Sequence, residues 1–299
     1  MSTIAARAPN HLGDGVMALP ALRGLADVGR LVIYAPRWGA DLYRDVPAVV
    51  RPLGPMSADV AVLFAPSVRA AWEARACATR IGVPGESDVD DGRRRAPLRR
   101  LLLNQIVEPR VHRAATFRAL AEAAGAVVVG DPRFDANPDD PMPTCDDGAD
   151  IPDHVGLAPL SVMGTTREWG GYRELADRLV DDGQAVVFYG GPGEEERVRE
   201  VAGPHPSCTG APLPALARAL GRCRTFVVND SGLSHFARAV GVRTLVLFGS
   251  TAPRHTGAAG AVAIERDVDC RPCQAAVCRN PAGRLCLELP VARVRMAVG

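Results

Sequence analysis

The feature that most restricts the fold is an alternation of two hydrophobic periods through the second half of the chain. Short apolar runs at 155–160, 185–189, 226–228 and 244–248 have the length of buried strands. Between them lie stripes at helical spacing. Tyr172, Leu175, Ala176, Leu179 and Val180 fall at offsets 0, 3, 4, 7 and 8, and 194–201 also reads as a helix. Leu213, Leu216, Ala217 and Leu220 form the next stripe, and Leu233, Phe236, Ala237 and Val240 the one after. Strands that alternate with helices pair in parallel through right-handed crossovers, which predicts an α/β fold.

The first half repeats the alternation less regularly, with strands expected at 3–6, 31–35 and 59–64 and a helix over 110–124 that Gly125 stops. Between the halves, 131–153 is rich in proline and aspartate and has no apolar period. It predicts two domains, 1–150 and 151–299. A length of 299 residues agrees, because single cores stop growing near roughly 250–300 residues.

Charge removes some functions from consideration. Thirty-five basic side chains face 34 acidic ones, which argues against a nucleic-acid partner. Every basic residue is arginine, so no lysine-dependent chemistry is open to the chain. The N-terminal residues do not read as a signal peptide, and no stretch approaches the roughly 20 apolar residues of a membrane-spanning helix. A cytoplasmic location is expected, with at most peripheral contact at the inner face of the membrane.

Candidate chemistry concentrates where strands should end. Asn229-Asp230-Ser231-Gly232-Leu233-Ser234-His235 joins a strand to a helix. The Gly232 and Leu233 amides are free at such a helix start, and its dipole favours an anion. A plain helix cap at Asn229 or Asp230 is the competing reading. His235 lies about 200° round the helix from Leu233, which places it off the apolar stripe and disfavours a buried structural histidine. Ser250 and Thr251, after the next strand, would form a second wall of a phosphate site. Gly191 stands in a glycine turn that lacks dinucleotide-fingerprint spacing but is able to border a nucleoside. Arg167 follows the first strand of the second half and suits a diphosphate, although a surface arginine is the commoner case. Near the N-terminus, Asp14 sits between Gly13 and Gly15, where a general base and an N-cap are about equally compatible with the spacing.

Two further clusters stand apart. Arg93, Arg94 and Arg95 form a basic run that reads as a solvated loop or as a contact for an anionic acceptor. Cys270, Cys273, Cys278 and Cys286 follow the pattern C-x2-C-x4-C-x7-C, a candidate structural zinc set with uneven spacing. A thiol-rich loop without metal fits that spacing slightly better.

Taken in order, four motifs resemble the family-9 glycosyltransferases. They are the run from Pro9 to Arg23, Thr166-Arg167-Glu168-Trp169, the run from Asn229 to Ala237, and Phe248-Gly249-Ser250-Thr251-Ala252-Pro253. The Cys-x-x-Cys tail adds to the resemblance. It implies a GT-B architecture, two Rossmann-like domains facing across a cleft, with 1–150 on the acceptor side and 151–299 binding an ADP-sugar. It also implies inverting transfer of heptose from ADP-heptose to an anionic glycolipid, the lipopolysaccharide inner core, with no cofactor and no obligatory metal. Asp14 takes the position of the base. Arg167, Asp230 and His235 take those that serve the donor, and His11 lies on the acceptor side. Arg167 stands where the family carries lysine, Gly170 where proline is frequent, and His11 where an aromatic is common. Rival readings are a same-fold transferase with another sugar nucleotide or acceptor, an epimerase, and a non-catalytic sugar-nucleotide- or metal-binding protein.

Overall fold

The structure, a computed structural model, describes residues 2–84 and 96–299. It divides into two compact units, Met1–Pro132 and Arg133–Gly299. The division lies at the start of the proline- and aspartate-rich segment, whereas the sequence predicts it at the end. Residues of that segment join the second unit: the Phe134 ring packs on Phe236 at 5.0 Å, and Asp146 bonds Ser207 and Thr209.

In the first unit β1 (Thr3–Arg7), α1 (Leu12–Met17), α2 (Leu19–Val28), β2 (Arg30–Ala35), α3 (Gly39–Leu42), β3 (Ala48–Pro52) and β4 (Val60–Leu63) come first. Then follow α4 (Val68–Glu73), β5 (Thr79–Gly82), α5 (Ala96–Leu102), β6 (Gln105–Ile106) and α6 (Arg113–Glu122). The second unit contains β7 (His154–Ala158), α7 (Tyr172–Asp181), β8 (Val186–Gly190), α8 (Glu195–Ala202), β9 (Ser207–Thr209) and α9 (Leu213–Leu220). It continues with β10 (Cys223–Asn229), α10 (Gly232–Val240), β11 (Thr244–Phe248), α11 (Pro253–Thr256), β12 (Val262–Glu265) and α12 (Val291–Val298).

All strand pairs within both sheets are parallel among the described residues. The orders are β3-β2-β1-β4-β5-β6 and β12-β11-β10-β7-β8-β9. Counted from the first strand of each unit, both are the doubly wound order 3-2-1-4-5-6. Central strands bury both faces: every residue of β7 and β11 is buried, which is why these runs read as continuously apolar. In the second unit the core on one face joins Val155, Leu157, Leu175, Leu179, Phe188 and Val227 to Val294 of the last helix.

The order of strands fixes where ligands can meet the sheet. The direction of winding reverses between β1 and β4 in one unit and between β7 and β10 in the other. Beyond the carboxyl ends of such strands the connections part and leave a crevice. The segments after β1, β7 and β10 are three of those singled out from sequence. The segment after β11 lies beside that of β10.

Candidate functional site

In the first unit the central strand β1 ends at Arg7, whose side chain is buried at the carboxyl end of the sheet. Its Nε donates to Glu73 Oε2 at 3.1 Å, Nη1 to the Ala8 carbonyl, and Nη2 to Asn10 Oδ1 at 3.0 Å. Burial lowers the Arg7 pKa, and the Glu73 carboxylate works against that shift. The guanidinium therefore ties the turn at 8–10 to α4, and α1 begins just beyond that turn. Asp14 stands inside the first turn of α1. The N-cap is His11, whose side chain makes no capping bond, so the capping alternative for Asp14 does not apply. Its Oδ2 accepts from Arg113 Nη1 at 2.9 Å. Gly15 follows because a Cβ there would meet the Trp38 ring at 2.5 Å. Sequence reasoning misses Arg113, which sits 99 residues away at the first position of α6. It gives no local signal. Arg93, Arg94 and Arg95 lie outside the described residues.

In the second unit three neighbouring strands, β7, β10 and β11, contribute one group each. Arg167 follows β7, Asp230 follows β10, and Thr251 follows β11. Arg167 Nη1 lies 3.3 Å from Asp230 Oδ2. Asp230 is buried and also accepts from Thr251 Oγ1 at 2.7 Å and from Thr256 Oγ1 at 3.1 Å. The carboxylate is thus held by two hydroxyls and a guanidinium, which offset the cost of burying its charge. Thr256, at the end of α11, joins the constellation without a sequence signal, because only the fold of the short helix returns it to Asp230.

Asn229 is buried too, and its role is structural. Its Oδ1 accepts from the Trp169 amide at 3.3 Å and from Tyr172 OH at 3.2 Å, while Nδ2 donates to the Pro159 carbonyl at 2.6 Å. It fastens the end of β10 to the loop carrying Arg167. The N-cap of α10 is Ser231, in extended backbone and without a side-chain capping bond; neither Asn229 nor Asp230 fills that place. The Ser231 Oγ is a buried polar atom with no hydrogen-bond partner. Gly232 and Leu233 open the helix, so their N–H groups have no carbonyl within it to bond. An unpartnered hydroxyl beside unspent amides at a helix start suits an anion.

His235 requires a correction. The stripe argument disfavours a buried histidine, yet its side chain is only 6% exposed. The reason is that α10 is enclosed on more than one side: Ser234, His235, Phe236, Ala237 and Ala239 are all buried, while Leu233 is only half-buried. Spacing defines one apolar stripe but does not report what covers the opposite face.

Thr251 stands against Asp230, while Ser250 packs on Thr166. The Ser250 amide donates to the Thr166 carbonyl at 3.2 Å, and its Oγ lies 3.5 Å from Thr166 Oγ1. Gly249 is required here, because a Cβ would stand 2.3 Å from the Thr166 carbonyl oxygen. Behind these residues Arg271 donates to the Gly249 and Thr251 carbonyls, each at 2.7 Å, and the Gln274 amide donates to the Ser250 carbonyl at 2.8 Å. Both Arg271 and Gln274 belong to the cysteine-rich tail, so that tail braces the segment after β11. The Gly191 amide donates to Glu194 Oε2 at 2.7 Å within its own turn.

Burial raises the pKa of the Cys286 thiol, and the nearby Cys270 and Cys273 add to the shift. Cys270 and Cys273 are exposed, Cys278 is half-buried and Cys286 is buried. Among the described residues no group of three or more His, Cys, Asp or Glu side chains is placed to hold a metal ion.

Comparison with known proteins decides the family. The model of glycosyltransferase family 9 (heptosyltransferase) matches residues 47–282. The chain belongs to glycosyltransferase family 9. Lipopolysaccharide heptosyltransferase 1 of Pseudomonas aeruginosa is 36% identical to it over 121 residues, 38% of this chain and 34% of that protein. Lipopolysaccharide heptosyltransferase 2 of Escherichia coli is 29% identical over 113 residues, 34% of this chain and 32% of that protein. The match thus spans about a third of the length of these curated relatives. Among solved structures, E. coli ADP-heptose LPS heptosyltransferase II superposes with a TM-score of 0.71 at 18% identity, covering 99% of this chain and 98% of that one. E. coli heptosyltransferase WaaC with ADP gives 0.70 at 18%, with the same coverage. The family-9 chain therefore has the fold of these enzymes, GT-B, with a Rossmann-like domain in each unit. Among the described residues no helix is long and apolar enough to cross a membrane.

Proposed function

We propose that this family-9 protein is an inverting glycosyltransferase that moves heptose from ADP-heptose to an anionic glycolipid acceptor of the lipopolysaccharide inner core. The observation that carries the reading is the constellation at the carboxyl ends of β7, β10 and β11. It joins Arg167, a triply held Asp230 and an α10 start with an unpartnered Ser231 hydroxyl. A nucleoside diphosphate needs such a set: a planar cation for bidentate contact, and amides with a favourable dipole for the second phosphate. Asp230 holds Arg167 in place and is itself too buried and too fully engaged to repel the ligand freely.

The proposed chemistry is a single displacement. Asp14 accepts the proton of the acceptor hydroxyl, with Arg113 fixing the carboxylate through Oδ2. The hydroxyl oxygen bonds to the anomeric carbon as the bond to the diphosphate breaks, through a transition state with oxocarbenium character. The electron pair leaves on ADP, where Arg167 and the amides of Gly232 and Leu233 stabilise the growing charge. The solved structure of heptosyltransferase WaaC was obtained with ADP, which supports an ADP-linked donor for this chain. A location at the cytoplasmic face of the membrane follows from a lipid-linked acceptor.

Product analysis by mass spectrometry tests the reading. Purified protein is incubated with ADP-heptose and truncated lipopolysaccharide core acceptors, with other sugar nucleotides in parallel. A mass increase of one heptose on the acceptor is expected. Transfer of a different sugar, or to a different acceptor, would keep the reaction class and replace the substrate. No product from any donor would leave a sugar-nucleotide-binding protein.

A further inference from the structure

We propose that the face formed by α4 and α5 of the first unit docks on an anionic lipid bilayer. The two helices pack against each other, and their inward sides are accounted for. Ala70 and Ala71 of α4 are buried. Arg99 of α5 is buried as well, donating from Nε to the Val83 carbonyl at 2.8 Å and from Nη1 to the Ser67 carbonyl. Burial lowers its pKa to about 10. Arg99 therefore pins α5 in one orientation, and that orientation turns Leu98 and Leu101 outward.

The residues these two helices expose are unusual for a surface facing water. Leu101 is 80% exposed, Leu98 57% and Trp72 of α4 55%. Single exposed apolar residues need no explanation, but here three large ones stand on two helices that pack against each other. The charges among them have one sign. Arg75 lies over the Trp72 ring with its guanidinium carbon 4.8 Å from the centroid, Arg100 is exposed, and the Arg69 side chain is 77% exposed. The acidic residue of these helices, Glu73, is buried and shared between Arg7 and Arg69, so that trio carries a net positive charge. Aliphatic and indole groups beside arginines, with no exposed carboxylate on either helix, are complementary to a negatively charged membrane interface. A second copy of the same face would set arginine against arginine, which disfavours self-association as the occupant. The inference deepens the proposal of a lipid-linked acceptor, since it names the surface that would bring the enzyme to it.

The test uses the full chain and vesicles that contain no glycolipid. Flotation is compared between vesicles of phosphatidylglycerol with phosphatidylethanolamine and vesicles of phosphatidylcholine alone. Binding is expected only to the anionic set, with a blue shift of tryptophan emission that Trp72→Phe removes. Leu98→Asp with Leu101→Asp, and separately Arg75→Glu with Arg100→Glu, should each abolish flotation while circular dichroism and melting temperature stay at wild type. Each lost arginine contact should weaken partitioning about fivefold, before the added repulsion of glutamate. Failure to float with anionic vesicles would overturn the inference, as would flotation unchanged in both double variants. A concentration-dependent dimer in analytical ultracentrifugation that Leu98→Asp with Leu101→Asp dissolves would assign the face to a second copy instead. Transfer to a soluble, deacylated acceptor is measured separately, so failure of the docking face and failure of the proposed reaction give different results.

Discussion

Replacing Gly249 by alanine tests whether the segment that sets Thr251 against Asp230 is positioned by close packing of backbones. A Cβ at this position would lie 2.3 Å from the Thr166 carbonyl oxygen and 2.9 Å from Leu287 Cδ2. The leucine end can rotate away, but the carbonyl belongs to the backbone. Restoring ordinary contact at 3.4 Å requires the two segments to separate by about 1 Å. That separation breaks the Ser250 amide bond to Thr166, already 3.2 Å long. Overpacking costs about 1–3 kcal/mol and the lost bond about 1 kcal/mol, giving roughly 2–4 kcal/mol together. For a unit of this size the melting temperature should fall by roughly 5–15 °C. The same shift moves Thr251 from Asp230, so ADP binding should weaken about tenfold or more. Differential scanning calorimetry gives the first quantity and isothermal titration with ADP the second. Gly170→Ala is the control, because nothing lies within 4 Å of a Cβ there. A Gly249→Ala protein that melts with wild type and binds ADP normally would refute the argument.

Other expectations follow from Asp14, from Arg167 and from a buried histidine. Asp14→Asn should reduce transfer by roughly 10²–10⁴ while ADP affinity stays near wild type; equal turnover would remove Asp14 from the chemistry. Arg167→Ala should weaken ADP binding and lower turnover, with Arg167→Lys restoring much of both, and calorimetry with steady-state kinetics on the two variants decides it. Stability should fall on acidification because His154 is fully buried. Its Nδ1 contacts the Pro152 carbonyl at 2.8 Å, and Nε2 lies 2.8 Å from Tyr189 OH and 3.0 Å from Cys223 Sγ. Desolvation lowers its pKa from the usual 6.5, so the unfolded chain binds a proton that the folded one refuses. Stability from this group is complete above pH 6.5 and is lost as pH falls from there toward the folded pKa, at up to about 1.4 kcal/mol per pH unit. Urea unfolding of wild type and His154→Gln between pH 7.5 and 5 should show that slope in wild type only.

The alternation of periods by itself determined the α/β class and placed β7, β8 and β11 to within two residues, while β10 begins three residues before its apolar run. Both are local properties, because a strand buried on two faces must be apolar throughout and its helices must carry one stripe. The same reading put Asp230, Thr251 and Arg167 at strand ends, where parallel sheets expose amides. Only the tertiary structure decided which side chains meet there. Arg113 reaches Asp14, Thr256 reaches Asp230, and Arg271 braces Gly249 across 99, 26 and 22 residues of chain. No period or motif encodes such distances, since they depend on the order in which strands are laid side by side. Burial of His235 has the same origin: the stripe defines the face that α10 turns to the sheet, and the fold alone determines what covers the other.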